Sequence, residues 1–351
     1  MRLSVPAIWD RPLLERLDAA RVAEVYGKLQ HDVVGGGRDA AMLPAITEGA
    51  LADHVDLAHQ HGLKFNYLLN ATCLGNVEWT ADGAARIRAL LDWLAAIGVD
   101  GVTVATPYLL DVVKRHYPFD VELSVRTNVD TPMKARFWQD QGVDQITIPF
   151  DSNRDFRLLR ELRRAVTCRL QVVANLMCVF QCAIQHFHAL AGNHASQDQG
   201  ARGSAYYVHT CEADRLTDPG RYLSACWIRP EDMTVYAELG MDRLKLVDRM
   251  MTADRLGRVV DAYAAQRYEG NLLDLLYLTD RPVHLDNRKL DGFLAFFRAG
   301  KCPADCARCD YCATVARDAL TVAEGYRERA LVMLGRGREA ALATTLAPRA
   351  G

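Results

Sequence analysis

LAAIGVDGVTV (residues 94–104), WQDQGVDQITI (138–148) and AELGMDRLKL (237–246) are three copies of one join. In each, a helix-periodic stretch ends at glycine, one apolar residue follows, then aspartate, then a run suited to a strand. Glycine tolerates the left-handed backbone that closes a helix. A helix that feeds directly into a strand, repeated along a chain, is half of a βαβ unit.

Eight strand-like runs surround these joins. They lie at 2–7, 22–27, 64–71, 101–107, 122–129, 144–151, 169–178 and 243–249. Each is mostly apolar and rich in leucine or β-branched residues, as strands covered on both faces are. Helical periodicity fills 51–62, 84–98, 131–142, 152–166 and 251–266, with Thr131 and Ser152 placed to cap two of the helices. The alternation predicts an α/β protein built on a (β/α)8 TIM-like barrel. A doubly wound sheet is the weaker alternative, because no G-x-G-x-x-G follows the first strand. VVGGGRDA (33–40) reads as a flexible glycine-rich loop, with phosphate binding as a secondary reading. The barrel occupies 1–268 and includes a long cysteine-bearing insertion, 178–228, between strands seven and eight. A cysteine-rich C-terminal extension, 269–345, follows, with LLDLLYLTDRPVHLD (272–286) as an extended arm and TTLAPRAG (344–351) as a frayed tail.

Composition narrows the function classes. The 351 residues are 50% hydrophobic and 25% charged, with a formal charge of −2, so no global basic field points to nucleic acid. Local basic stretches at 135–138 and 157–164 leave that partner unlikely rather than excluded. No apolar run suffices for a membrane span and no leader pattern is present, so a cytoplasmic protein is expected. In a reducing compartment, ten cysteines suggest metal binding rather than disulfides.

Eight of those cysteines fall into two groups. KCPADCARCDYC (301–312) sets Cys302, Cys306, Cys309 and Cys312 at C-x3-C-x2-C-x2-C. One short loop of that spacing can wrap a metal, zinc by default or an iron–sulfur cluster. Cys178, Cys182, Cys211 and Cys226 share the insertion. Converging thiolates there suit a 4Fe–4S cluster or zinc; buried, unpaired thiols are the alternative. Polar residues at strand ends are candidate site groups, because barrel enzymes act at that face. Arg126, Asn128, Lys245 and Arg249 are the catalytic candidates, their cations suiting an anionic ligand. Asn70, Asp151, Asn175 and His186 are candidates for substrate contact. No nucleophile–base pair or H-E-x-x-H zinc motif is readable.

LSACWIRPEDMTVYAELGMDRLKLVDRMMTADRLGRVVDAY (223–263) resembles the collagenase-like peptidase family of unknown catalytic type. That family shows a KDL stretch, then LKIEGRM, then a VV.AY segment; here RPEDM and LKLVDRM stand in the first two places. The resemblance covers roughly residues 1–265 and implies the same barrel. It also implies an oxygen-independent hydroxylase rather than a peptidase, since better-understood members hydroxylate ubiquinone precursors or tRNA and rRNA bases. They carry a 4Fe–4S cluster on four cysteines, and some take oxygen from prephenate, an anionic donor. Carried over by position, Cys178, Cys182, Cys211 and Cys226 would be the ligands, although ANLMCVFQC lacks the family's HG pair and shortens its six-residue gap to three. The knot at 302–312 would hold a second cluster or zinc. A small aromatic or isoprenoid substrate and a paralogous partner subunit follow from the same resemblance. A metal-dependent peptidase and a cluster-carrying, non-catalytic subunit are the alternatives.

Overall fold

The computed structural model describes residues 1–197, 204–276 and 281–346. Eight parallel strands close a barrel in chain order, the eighth pairing back onto the first. The first half runs β1 (Arg2–Pro6), α1 (Arg11–Glu15), β2 (Val22–Gly27), α2 (Glu48–Gln60), β3 (Lys64–Leu69), α3 (Ala81–Ala96), β4 (Gly101–Val104) and α4 (Pro107–His116). It continues with β5 (Asp120–Leu123), α5 (Pro132–Asp140), β6 (Gln145–Thr147), α6 (Phe156–Ala165) and β7 (Arg169–Val173). The insertion supplies α7 (Gln185–Ala195), α8 (Ser204–Thr217) and α9 (Gly220–Ser224), and α10 (Met233–Glu238) follows it before β8 (Arg243–Lys245) and α11 (Ala253–Ala265). The predicted barrel is therefore the observed one.

The three repeated joins show why the helices stop where they do. Gly98, Gly142 and Gly240 have φ of 79°, 90° and 81°. After each, the next N–H reaches back to the helix: Val99 to Leu94 O (3.0 Å), Val143 to Trp138 O (3.4 Å) and Met241 to Tyr236 O (3.1 Å). This is the six-to-one bond of a Schellman cap. The aspartate then crosses to the preceding strand of the barrel. Asp100 accepts from Phe65 N, Asp144 from Val121 N and Asp242 from Leu170 N, each at 2.8 Å. Each carboxylate also holds a cation or imidazole, namely His59, Lys114 and Arg163. One local motif thus caps a helix, starts a strand and ties it to its neighbour.

Several boundaries differ from the sequence reading. Strand five ends at Leu123, because Ser124 caps a 3-10 turn over Val125–Thr127. Strand seven ends at Val173, and the cysteines that follow lie in a loop. Ser152 is not a helix cap. Residues Phe150–Ser152 form a 3-10 turn, and Asp155 caps α6 by accepting from Leu158 N at 2.9 Å. The delay follows from Asn153, whose amide is held by Val173 O (2.8 Å) and Cys226 O (2.7 Å).

The extension carries β9 (Val283–Leu285), α12 (Phe293–Arg298), α13 (Tyr311–Ala319), β10 (Leu320–Val322) and α14 (Tyr326–Leu346). β9 and β10 pair antiparallel. Of the expected extended arm, Leu272–Asp274 is a 3-10 turn and Val283–Leu285 is a strand; 277–280 lie outside the described residues, as do 347–351 of the expected tail. α13 packs on α9, and α14 lies along α8. Gly337 permits the second contact, since a Cβ there would stand 2.4 Å from the His209 ring. Among the described residues, no helix is long and apolar enough to cross a membrane.

Replacing Asp144 by alanine leaves the Val121 N–H without its carboxylate and should cost about 1–3 kcal/mol. Asp100→Ala and Asp242→Ala should cost similar amounts in urea unfolding. Losses below about 0.5 kcal/mol at all three would show that the join is not a structural unit.

Candidate functional site

The barrel interior is polar, and this decides which candidates reach the mouth. Glu122 on β5 accepts from Lys245 Nζ (2.7 Å), Thr147 Oγ1 (2.7 Å), Gln171 Nε2 (2.9 Å) and Gln145 Nε2 (3.2 Å). Below it, Glu24 takes hydrogen bonds from Ser4 (2.8 Å) and Arg243. Lys245 also lies 4.4 Å from the centre of the Tyr26 ring. The structure therefore places this catalytic candidate inside the barrel, 8% exposed and fully engaged. Asn175 is equally committed. Its amide donates to Val247 O and to Leu275 O (3.0 Å), and its oxygen accepts from Val247 N (2.7 Å). It clamps the chain leaving β8 and has no group left for a substrate.

Arg126 and Arg249 each lie near a third arginine, Arg38, that sequence reasoning missed. Arg38 lies on VVGGGRDA, which is a buried, pinned loop and not a flexible one. Gly35 N donates to Asp32 Oδ1, Gly36 N to Ser196 Oγ (2.7 Å) and Gly37 N to Asn70 Oδ1 (3.1 Å). Those bonds occupy the N–H groups that a phosphate loop would offer. Two of the glycines are required by crowding: a Cβ on Gly35 would stand 2.7 Å from Gln197 Cγ and one on Gly36 2.8 Å from Lys28 Cδ. The run of three glycines before an arginine was the available signal. Arg38 pairs with Asp248 at 3.4 Å, and its charge bears on both Arg126 and Arg249. Burial holds both of those guanidiniums below their usual range, offset at Arg249 by Tyr26 and the Asp248 carboxylate and at Arg126 by Cys178. Asn70 links the glycine loop to Ser124 (3.4 Å), just before Arg126. Arg249 also lines an open cleft of about 400 Å³ with Ile8, Asp10, Met42, Pro44 and Met250.

The remaining candidates lie around this rim. Asn128 sits at φ 51° and donates its amide to Asp130 (3.0 Å). His186 is exposed on α7, whereas His188, two residues on, stacks on Tyr207 and feels Arg126 and Arg38. Burial, then those two cations, pushes His188 down to about 4. Asp151 is half-buried, its carboxyl raised by burial, and accepts from Gln181 N (3.3 Å).

The cysteines group differently from the sequence reading. Cys178 lies near Arg126, Arg38 and Cys211, and burial pushes its thiol up to about 11. Cys211 lies near Arg215 and Cys182. Cys226 does not join them. Its thiol points to Asp151 O (3.6 Å), and the thiols that act on it are Cys312 and Cys302 of the C-terminal knot. Among the described residues, no three His, Cys, Asp or Glu side chains converge closely enough to hold a metal ion. Of the four thiols implied by the family resemblance, Cys178, Cys182 and Cys211 act on one another and Cys226 lies by the knot.

A family model for Peptidase family U32 matches residues 33–269. An uncharacterized protease of Methanocaldococcus jannaschii is 33% identical over 296 residues, covering 83% of this chain and 87% of that one. The chain belongs to Peptidase family U32, the collagenase-like family. A tRNA hydroxylation protein P1 of Bacillus subtilis is 23% identical over 228 residues, 61% of this chain and 51% of that protein, so the chain spans about half of that relative. The solved structure of a U32 peptidase superposes with a TM-score of 0.54 at 24% identity, over 71% of this chain and 92% of that one, and shares the fold.

Two outcomes follow from the site. Lys245→Met strands the Glu122 carboxylate inside the barrel and should destabilise the fold by about 3–5 kcal/mol in urea unfolding. Adding Glu122→Gln should restore much of that loss; simple additivity of the two changes would disprove the coupling. His188 and His54 are both held near 4, below their unfolded values. The unfolded chain therefore binds more protons between pH 6.5 and 4, and stability should fall as pH drops through that window. His188→Gln should flatten part of the slope in thermal melts across that range.

Proposed function

We propose that this U32 chain is a hydroxylase that binds a small anionic molecule at its barrel mouth. The observation that carries the reading is Arg249, 5% exposed yet lining an open cleft of about 400 Å³, with Arg38 beside it across Asp248. A desolvated guanidinium is costly unless an anion shares its site. Arg38, fixed by its pinned loop and by Asp248, bears on both Arg126 and Arg249. A carboxylate-bearing substrate or oxygen donor of the prephenate type supplies the missing charge through paired hydrogen bonds. The relative named for tRNA hydroxylation supports the reaction class, and a cleft of about 400 Å³ with Arg249 on a largely apolar wall suits a small biosynthetic intermediate as substrate.

A peptidase fits the mouth less well, although one relative is named a protease. It needs a nucleophile activated by a hydrogen-bonded base, or a metal-bound water. Among the described residues, no hydrogen bond joins Cys178 to His188 or to a carboxylate. In the hydroxylase reading the chain's own groups orient the anion. The redox group expected from the family resemblance is a 4Fe–4S cluster, and its place in this chain remains part of the proposal.

The test is anaerobic incubation of the chain with prephenate and small aromatic or isoprenoid precursors, read by mass spectrometry for products heavier by one oxygen, beside a peptide panel. Arg126→Ala and Arg249→Ala should each lower kcat/KM by about 10- to 100-fold, the worth of a charge-assisted hydrogen bond. Peptide cleavage abolished by Cys178→Ala, with no oxygen-bearing product, would overturn the reading.

A further inference from the structure

α7 lies across the barrel mouth. Its chain comes from β7, and its far end is pinned to the loops after β2 and β3, with β3 opposite β7 in the ring of strands. Ser196 Oγ accepts from Gly36 N (2.7 Å) and donates to Gly36 O (3.0 Å). Gln197 Nε2 donates to Val34 O (3.0 Å) and to Cys73 O (2.7 Å). Gly192 rests on the arginine loop, where a Cβ would stand 3.5 Å from Gly37 O and 3.7 Å from the carbonyl carbon of Arg38. Arg126 also lies against Gly37, its Nε 3.7 Å from a Cβ built on that glycine. His188 is four residues before Gly192 and so shares its helix face. Its ring stacks on Tyr207 of α8 (5.3 Å between centres, 15° between planes). Among the described residues, neither ring nitrogen of His188 has a hydrogen-bond partner. Burial, then the charges of Arg126 and Arg38, keep the ring neutral at ordinary pH.

We propose that His188 accepts a hydrogen bond from a hydroxyl of the bound anion, so that the ligand of the mouth is a hydroxycarboxylate, with an O–H donor beside the carboxylate that Arg126 holds. This rests on the anion site proposed above and names the class of ligand that site takes. The two kinds of side chain divide the recognition. A guanidinium only donates, so Arg126 and Arg38 can bind charged oxygens but cannot receive a proton donor. A neutral imidazole keeps one lone pair, and it is the acceptor that the arginines lack. The other acceptors on this loop are engaged: Asn70 Oδ1 takes Gly37 N (3.1 Å), and Asp248 pairs with Arg38 (3.4 Å). Stacking on Tyr207 covers one face of the ring and holds the acceptor in place before a ligand arrives. A site built to pair with a ligand hydroxyl rejects the analogue that lacks it, because the site's own polar group is then left without a partner.

The test measures binding, by calorimetry on the full chain, of two probes that differ only in a hydroxyl beside the carboxylate: 3-phenyllactate and 3-phenylpropanoate. Wild-type protein should bind the hydroxy acid about 10-fold more tightly, the worth of one hydrogen bond. Arg126→Ala should weaken both probes alike. His188→Phe keeps a ring against Tyr207 but removes the acceptor, and should cut the preference below about two-fold. His188→Gln offers a carbonyl in its place and should keep part of the preference. Gly37→Ala sets a methyl 3.7 Å from Arg126 Nε, an ordinary contact that the fold accepts, and should weaken both probes. Unchanged affinity in Gly37→Ala would put the ligand in the Arg249 cleft, away from His188, and overturn the proposal. In wild-type protein carrying nitrogen-15 histidine, phenyllactate alone should shift a ring nitrogen of His188, a readout that answers even where a variant does not fold. The two readings fail separately. If neither probe binds, or if Arg126→Ala changes nothing, the anion site fails and this proposal falls with it. If both bind through Arg126 with equal affinity, or the preference survives in His188→Phe, the assignment of His188 alone fails.

Discussion

The buried carboxylate of Glu122 is the constraint on which the barrel depends. One side chain on β5 accepts hydrogen bonds from residues on β6, β7 and β8, and it balances the only ammonium among those donors. A carboxylate that deep is tolerable only with its lone pairs filled and its charge matched. The four strands must therefore keep their register, because a slip of one residue would turn each partner out of the barrel. The same network takes Lys245 out of the mouth, so substrate-facing charge comes from loops rather than strands.

Those loops are rigid for reasons of their own. The glycine run is held by Asp32, Ser196 and Asn70, and the exit of β8 is held by Asn175. Each bond satisfies a backbone group that would otherwise be buried without a partner. The result is a mouth in which Arg38, Arg126 and Arg249 come from three separate loops, and Arg38 acts on both of the others. Preorganisation of this kind spares a ligand the cost of ordering its own site.

Much of the fold was legible in the sequence. The Gly-x-Asp joins are local: a positive-φ glycine and a short side chain need only neighbouring backbone to act, so their spelling is readable without the fold. The candidate site was legible in part. Arg126 and Arg249 were found by position at strand ends, but Lys245 and Asn175 satisfy the same rule and serve the interior. Position along a strand does not say whether a polar side chain points up to the mouth or inward to a buried partner. Arg38 was hidden because its loop has the composition of a flexible linker, and only the partners across the barrel make it rigid. His186 and His188 differ only by the rotation of α7.

The cysteines show the division most plainly. Sequence alone determined that ten thiols exist, that four lie in one tight loop and that four are spread through an insertion. It also determined the eightfold alternation that builds the barrel, because periodicity and caps act over a few residues. Only the tertiary structure decided that Cys226 leaves its sequence neighbours for the knot. That choice depends on α13 returning to α9 and on Arg154 bridging the two loops. Contacts between distant segments are set by the packing of whole elements, and no short stretch of chain encodes which segment will come back to meet it.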